Sequence, residues 1–153
     1  CISAKEQEFY KKHIHEYESG VIDEMGNDDL IYVPDVVVFK TDESIPQLMY
    51  ENNWFKSDVI VSAAPQLGHK YDTVKYRKIM ESRIKKILDV AAKENVEVLI
   101  LGAFGCGAFR NPPEVVAEIF NSLIRHYNFE IVEFAVFCRD DTRNHDIFKR
   151  ILG

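Results

Sequence analysis

The run Val98-Leu99-Ile100-Leu101-Gly102-Ala103-Phe104-Gly105-Cys106-Gly107-Ala108-Phe109-Arg110-Asn111-Pro112-Pro113 constrains this chain more than any other stretch. Its aliphatic start reads as a buried strand. Three glycines in six residues follow. Asn111-Pro112-Pro113-Glu114 then opens a helix, with Asn111 expected as the cap, proline in the first turn and Glu114 complementing the dipole. A strand feeding a loop and a helix, in a chain whose strands alternate with helices, indicates an α/β sheet covered on both faces. Glycines let the backbone take positive φ and approach a ligand, and a helix start offers free N–H groups with partial positive charge. The loop therefore suits a diphosphate without needing lysines. No G-x-x-x-x-G-K-[ST] occurs, which excludes a nucleotide-hydrolysing P-loop, and the G-x-x-G-x-G order is not the usual dinucleotide fingerprint.

The remaining sequence alternates in the same way. Ser3-Ala4-Lys5-Glu6 is a capping box, and Phe9, Tyr10, Ile14 and Tyr17 predict a helix over 4–18, ending near Gly20. Leu30 to Val33 and Val36 to Phe39 flank Pro34 as one edge strand or two short ones. Asp58 to Ala64 is a buried-strand run closed by Pro65, and Gln66 to Asp72 is a loop. Tyr76, Ile79, Met80, Ile84, Ile87, Leu88 and Ala91 form one stripe of a helix over 73–93. Lys75, Arg77, Lys78, Lys85 and Lys86 fall mostly on its other faces and read as a solvated surface. Val96 to Leu101 is a strand, and Val115 to Ile124 continue the second helix to about His126. Ile131 to Phe137 is the last strand, and Ile147, Ile151 and Leu152 close a short terminal helix.

At 153 residues the chain reads as one domain, and its 46% hydrophobic and 12% aromatic content is ample for a packed core. A net charge of −6 argues against gripping nucleic acid through the general surface field. No apolar run approaches the roughly 20 residues that span a bilayer, so no membrane association is expected. Cys1, Cys106 and Cys138 form no C-x-x-C pair, which fits a reducing, cytoplasmic compartment, and the five histidines do not join them at metal-site spacing. No metal and no cofactor are expected. Cys106 is read as a small packing or loop residue rather than a nucleophile, since the sequence offers no obvious base, His69 in a loop after a strand being the best candidate. Phe104 suits core filling, and Phe109 suits stacking on a sugar or base.

These residues carry a resemblance. Gly102 to Phe109 followed by Asn111-Pro112-Pro113 resembles the second, diphosphate-binding loop of the microbial-type poly(ADP-ribose) glycohydrolases, a branch of the macrodomain fold. Val59-Ile60-Val61-Ser62-Ala63-Ala64-Pro65 resembles the strand that ends beside the family's ligand cleft. Pro34 to Phe39, and Ile131 to Phe137 leading to Ile147-Phe148, agree. The resemblance implies a three-layer α/β/α mixed sheet, with residues 1–153 forming a single, partial domain that lacks its N-terminal strands. It also implies ADP-ribose, or an ADP-ribosylated protein, as partner. Gly105, Cys106, Gly107 and Ala108 would cradle phosphate, with Gly102, Ala103 and Phe104 in the same loop. Phe109 would pack on the ribose, and Ala64, Pro65 and Phe137 would line the cleft more loosely.

The family's first loop carries a glycine triplet and a Gln-Glu-Glu whose second glutamate is the general acid/base, and neither occurs here. Cys1 looks like the cysteine that follows those glutamates in relatives, so the catalytic segment is expected to end just before it. Glu6 and Glu8 lack that context. The implied parent reaction is hydrolysis of a ribose–ribose O-glycosidic bond, with this chain expected to be inactive. A non-catalytic ADP-ribose reader is the second reading. An unrelated α/β domain with a structural or other nucleotide-binding loop is the third.

Overall fold

A computed structural model describes residues 28–67, 71–138 and 140–153. The helix expected over 4–18, Cys1, Glu6, Glu8 and the loop residues Gly68 and His69 lie outside the described residues.

The first strand, β1 (Leu30–Val38), pairs antiparallel with β2 (Phe55–Ser62). Pro34 does not divide β1. It sits in a bulge, where the register steps from Val33↔Val59 to Val36↔Ser57, so that Pro34 and Asp35 face Asp58 alone. Proline has no ladder hydrogen to give, and a bulge is where a strand tolerates it. Asp35 takes φ 58°, and its amide donates to Asp58 Oδ1 at 2.8 Å. The Tyr32 hydroxyl donates to the other carboxylate oxygen. The expected β2 starts too late: the strand begins at Phe55, and its first five residues are exposed rather than buried. Only Ile60 to Ser62 approach the core, because α1 (Thr73–Lys93) reaches the sheet at that end.

Helix α1 has the expected bounds. Asp72 caps it, accepting from the amides of Val74 and Lys75 at 2.8 and 3.0 Å. The stripe from Tyr76 to Ala91 is buried apart from Ile79, which is half-buried. Arg83 is buried within it, with Nε 3.2 Å from Asp28 Oδ1 and Nη1 2.8 Å from the Ala63 carbonyl, so it ties the helix to the end of β2. On the opposite faces, Arg77 pairs with Glu118 and Lys85 with Asp89, a solvated surface as read.

Strand β3 (Val98–Leu101) pairs in parallel with β4 (Ile131–Phe134). Leu99 and Leu101 lie in register with Val132 and Phe134 and pack on α1, α2 (Pro113–Ile124) and α3 (Arg143–Leu152). Phe134 links the helices, 5.1 Å edge-on from Phe120 and 5.6 Å from Phe148. Strand alternation sends Val98, Ile100 and Ile131 to the other face, where they are exposed. β4 stops at Phe134, three residues short of the expected end, because its partner β3 turns into the glycine loop after Leu101; the Ala135 amide on the Leu101 carbonyl, 2.8 Å, is the last rung. α3 begins at Arg143, earlier than its apolar residues suggest.

Among the described residues one antiparallel and one parallel strand pair with three α-helices make a mixed α/β fold. Among the described residues no helix is long and apolar enough to cross a membrane. No group of three or more metal-ligating side chains occurs among them.

Candidate functional site

The carboxyl ends of β2, β3 and β4 meet at one end of the molecule, the end where open α/β sheets bind ligands. β3 and β4 are parallel, and the segment after β2 is bonded to the one after β3: the Leu67 amide donates to the Phe109 carbonyl at 3.3 Å. Ala64, Pro65 and the loop from Gly102 to Phe109 are therefore brought together. Phe137 leaves the sheet at the same end, 87% exposed.

The loop is two successive turns. The Cys106 amide donates to the Ala103 carbonyl at 3.0 Å, and the Arg110 amide to the Gly107 carbonyl at 2.9 Å. Arg110 takes φ 58° at the second turn's end. Of the loop glycines only Gly105 has positive φ, +72°. A Cβ there would stand 2.2 Å from Asn111 Nδ2 and 2.4 Å from Ala64 Cβ, so glycine is required by sterics. At Gly102 and Gly107 an added Cβ meets nothing within 4 Å. Their freedom is not spent on backbone strain; they leave bare backbone beside open space.

Asn111 does not cap α2. Pro112 holds the cap position and Pro113 the first helical one, which places Asn111 one residue too early. Its buried side chain is a clamp instead: Nδ2 donates to the carbonyls of Pro65 and Gly105, both at 2.9 Å, and its amide also donates to Gly105, at 3.1 Å. Asn111 thus holds the segment after β2 against the glycine loop. Its Oδ1 is buried without a hydrogen-bond partner among the described residues. The pair of prolines was the signal for this, since it moves the helix start beyond the asparagine.

With these bonds made, no acceptor among the described residues takes the amides of Gly107, Ala108 and Phe109. Successive amides in a turn are the kind of backbone arrangement that can hold an anion. Phe109 is 37% exposed at its edge, whereas Phe104 packs against the core. The Cys106 thiol also packs there, with Sγ 3.7 Å from the Phe104 carbonyl. Burial, and then Glu114, push it up from 9.0 to about 12, so it is a neutral thiol and no nucleophile at neutral pH. A general acid needs a carboxyl that holds its proton near neutrality. Asp58, Asp72, Asp89 and Asp146 are all held below the usual carboxylate value, chiefly by hydrogen bonds they accept.

No family model matches the sequence, and no curated protein matches it. Solved structures do match. The poly(ADP-ribose) glycohydrolase of Deinococcus radiodurans, in complex with ADP-ribose, is 28% identical with a TM-score of 0.80, covering 98% of this chain and 60% of that one. The Thermomonospora curvata enzyme bound to the inhibitor ADP-HPD is 30% identical with a TM-score of 0.80, covering 94% of this chain and 54% of that one. Another structure of the T. curvata enzyme is 29% identical with a TM-score of 0.82, covering 95% and 53%. The chain spans a little over half the length of the solved structures it matches. It has the macrodomain-like mixed α/β fold of the microbial poly(ADP-ribose) glycohydrolases.

Proposed function

We propose that this chain is the ADP-ribose-binding part of a glycohydrolase-like macrodomain, with the diphosphate held by the turn at Gly107, Ala108 and Phe109. The observation that carries this reading is that row of amides without an acceptor among the described residues, set beside Ala64 and Pro65 at the carboxyl ends of the strands. The ADP-ribose complex of a protein with the same fold supports it. Phe109 packs on the distal ribose, and Phe137 is a looser wall. The parent reaction is hydrolysis of a ribose–ribose O-glycosidic bond, in which a carboxylic acid protonates the leaving oxygen and water attacks an oxocarbenium-like centre. The diphosphate turn contributes orientation. The chain itself is inactive, since its sequence holds no glycine triplet and no Gln-Glu-Glu. Free thiols at Cys106 and Cys138 fit a reducing, cytoplasmic setting.

Calorimetric titration with ADP-ribose tests the binding, with AMP as the control that lacks the diphosphate. Heat is expected with ADP-ribose, and Gly107→Val is expected to weaken it at least tenfold without lowering Tm, because the new side chain projects into the open space where phosphate sits. No heat with ADP-ribose overturns the reading. Release of ADP-ribose from its polymer by this chain would overturn the inactivity. A non-catalytic reader is the second reading, favoured by the same absence of a Gln-Glu-Glu from the sequence.

A further inference from the structure

We propose that Arg110 is a phosphate-binding residue of the glycine loop, whose guanidinium pairs with the diphosphate that the amides of Gly107, Ala108 and Phe109 receive. The inference rests on the ADP-ribose reading and adds a charged side chain to a site otherwise built from backbone. Arg110 holds a conformation that its residue type does not favour. Three described residues other than glycine take positive φ: Asp35 at 58°, Asn95 at 56° and Arg110 at 58°. Asp and Asn are tolerated there, because their short side chains bond locally. Asp35 lies in the β1 bulge, and Asn95 follows the last turn of α1, where a left-handed residue commonly ends a helix. Arg110 has neither reason. The conformation itself is needed: the Arg110 amide closes a turn on the Gly107 carbonyl, and the chain then doubles back to set the Asn111 amide on the Gly105 carbonyl. Glycine would supply this with less strain, as it does at Gly105. Backbone strain of this kind gathers at ligand sites, where the side chain and not the backbone decides the residue.

Nothing among the described residues engages that side chain. Arg110 is exposed, and its guanidinium makes no hydrogen bond or ion pair there. Glu114, the nearest carboxylate in the sequence, lies 3.9 Å from Arg143 Nη2 instead. Arg110 is also the one charged residue between Gly102 and Pro113. The turn keeps it close to the amides, since the first and last residues of a turn lie within about 7 Å, a span that an arginine side chain crosses. A net charge of −6 repels a diphosphate at long range, and a cation at the loop offsets that locally. Guanidinium suits the role, because its planar fork meets two phosphate oxygens and stays charged.

The test is calorimetric titration with ADP-ribose at about 10 mM and about 1 M salt, which screen charges beyond roughly 30 and 3 Å, together with melting curves. Arg110→Gly is expected to weaken binding about fivefold at the lower salt and by under about twofold at the higher. The same variant is expected to raise Tm by roughly 1–3 °C, because glycine relieves the left-handed position. Arg110→Lys keeps the charge without the fork and is expected to stay within about twofold of the parent at low salt. Lys93→Gln removes one charge at the far end of α1, about 30 Å from the helix start, and is expected to change affinity by under about twofold. Unchanged affinity in Arg110→Gly, a loss that persists in full at high salt, a loss accompanied by a lower Tm, or an equal loss in Lys93→Gln would each overturn the proposal while leaving ADP-ribose binding in place. No heat from the parent chain would overturn the ADP-ribose reading and this inference with it.

Discussion

Gly105 and Gly107 are separated by one residue and are glycine for different reasons. At Gly105 the left-handed backbone and the contact with Asn111 and Ala64 leave no room for a methyl group. Gly105→Ala is expected to destabilise the fold by about 1–3 kcal/mol, the range for forcing atoms into a packed site. A melting curve should show a lower Tm where Gly107→Val shows none, and equal losses would contradict the contrast. Cys106 makes a second prediction. Its thiol is raised from 9.0 to about 12, so the folded chain holds that proton more tightly than the unfolded one. The resulting stability is complete below pH 9 and is lost as pH rises toward 12. Cys106→Ala should flatten this part of the alkaline denaturation profile relative to the parent chain, and parallel profiles would refute the assignment. The glycine-rich turn was legible in the Gly-Cys-Gly run, but which glycine is structural was hidden there, because that depends on an asparagine clamped across from another segment.

For whole elements the sequence was most informative where one face alone is buried. The bounds of α1 could be read from its stripe, since helical periodicity records burial directly. Strand ends were less legible: β2 starts three residues before its apolar run, because pairing with β1 and not burial holds Phe55 to Ser57 in the ladder. β4 ends early for the converse reason, since apolar residues continue past the last available partner. Asp72 was read as loop, yet its carboxylate closes the first turn of α1 through two amides. Asp72→Ala is expected to lower Tm by roughly 2–4 °C. Those amides also hold the carboxyl below its usual value, so the folded state favours the anion. The contribution is present above about pH 4 and lost as pH falls through the lowered folded value, so parent and variant should converge in strong acid. A difference that persists there would mean the loss arose elsewhere.

Across the molecule, the two strand pairs share a helical layer without sharing a ladder, and that leaves an apolar sheet face in solvent. Val98 is 51% and Ile100 66% exposed, beside backbone edges that are open among the described residues. Exposed aliphatic strands next to open edges are templates for pairing with another chain. What opposes this is charge, −6 in net terms, which keeps copies apart at neutral pH and vanishes near the pI of 5.4. The chain is therefore expected to self-associate most readily near pH 5.4 and least near pH 8, with light scattering as the measure. Ile100→Lys places a charge on the open face without touching the buried Leu99 beside it, and natural edge strands are guarded by lysine in this way. It should reduce scattering severalfold at every pH, the isoelectric point included, while Tm stays within about a degree. A rise in scattering at pH 8, where the added lysine weakens the net negative charge, would assign association to net charge alone. Reduction at every pH would locate the sticky surface at β3, whose outer face is exposed at Val98 and Ile100.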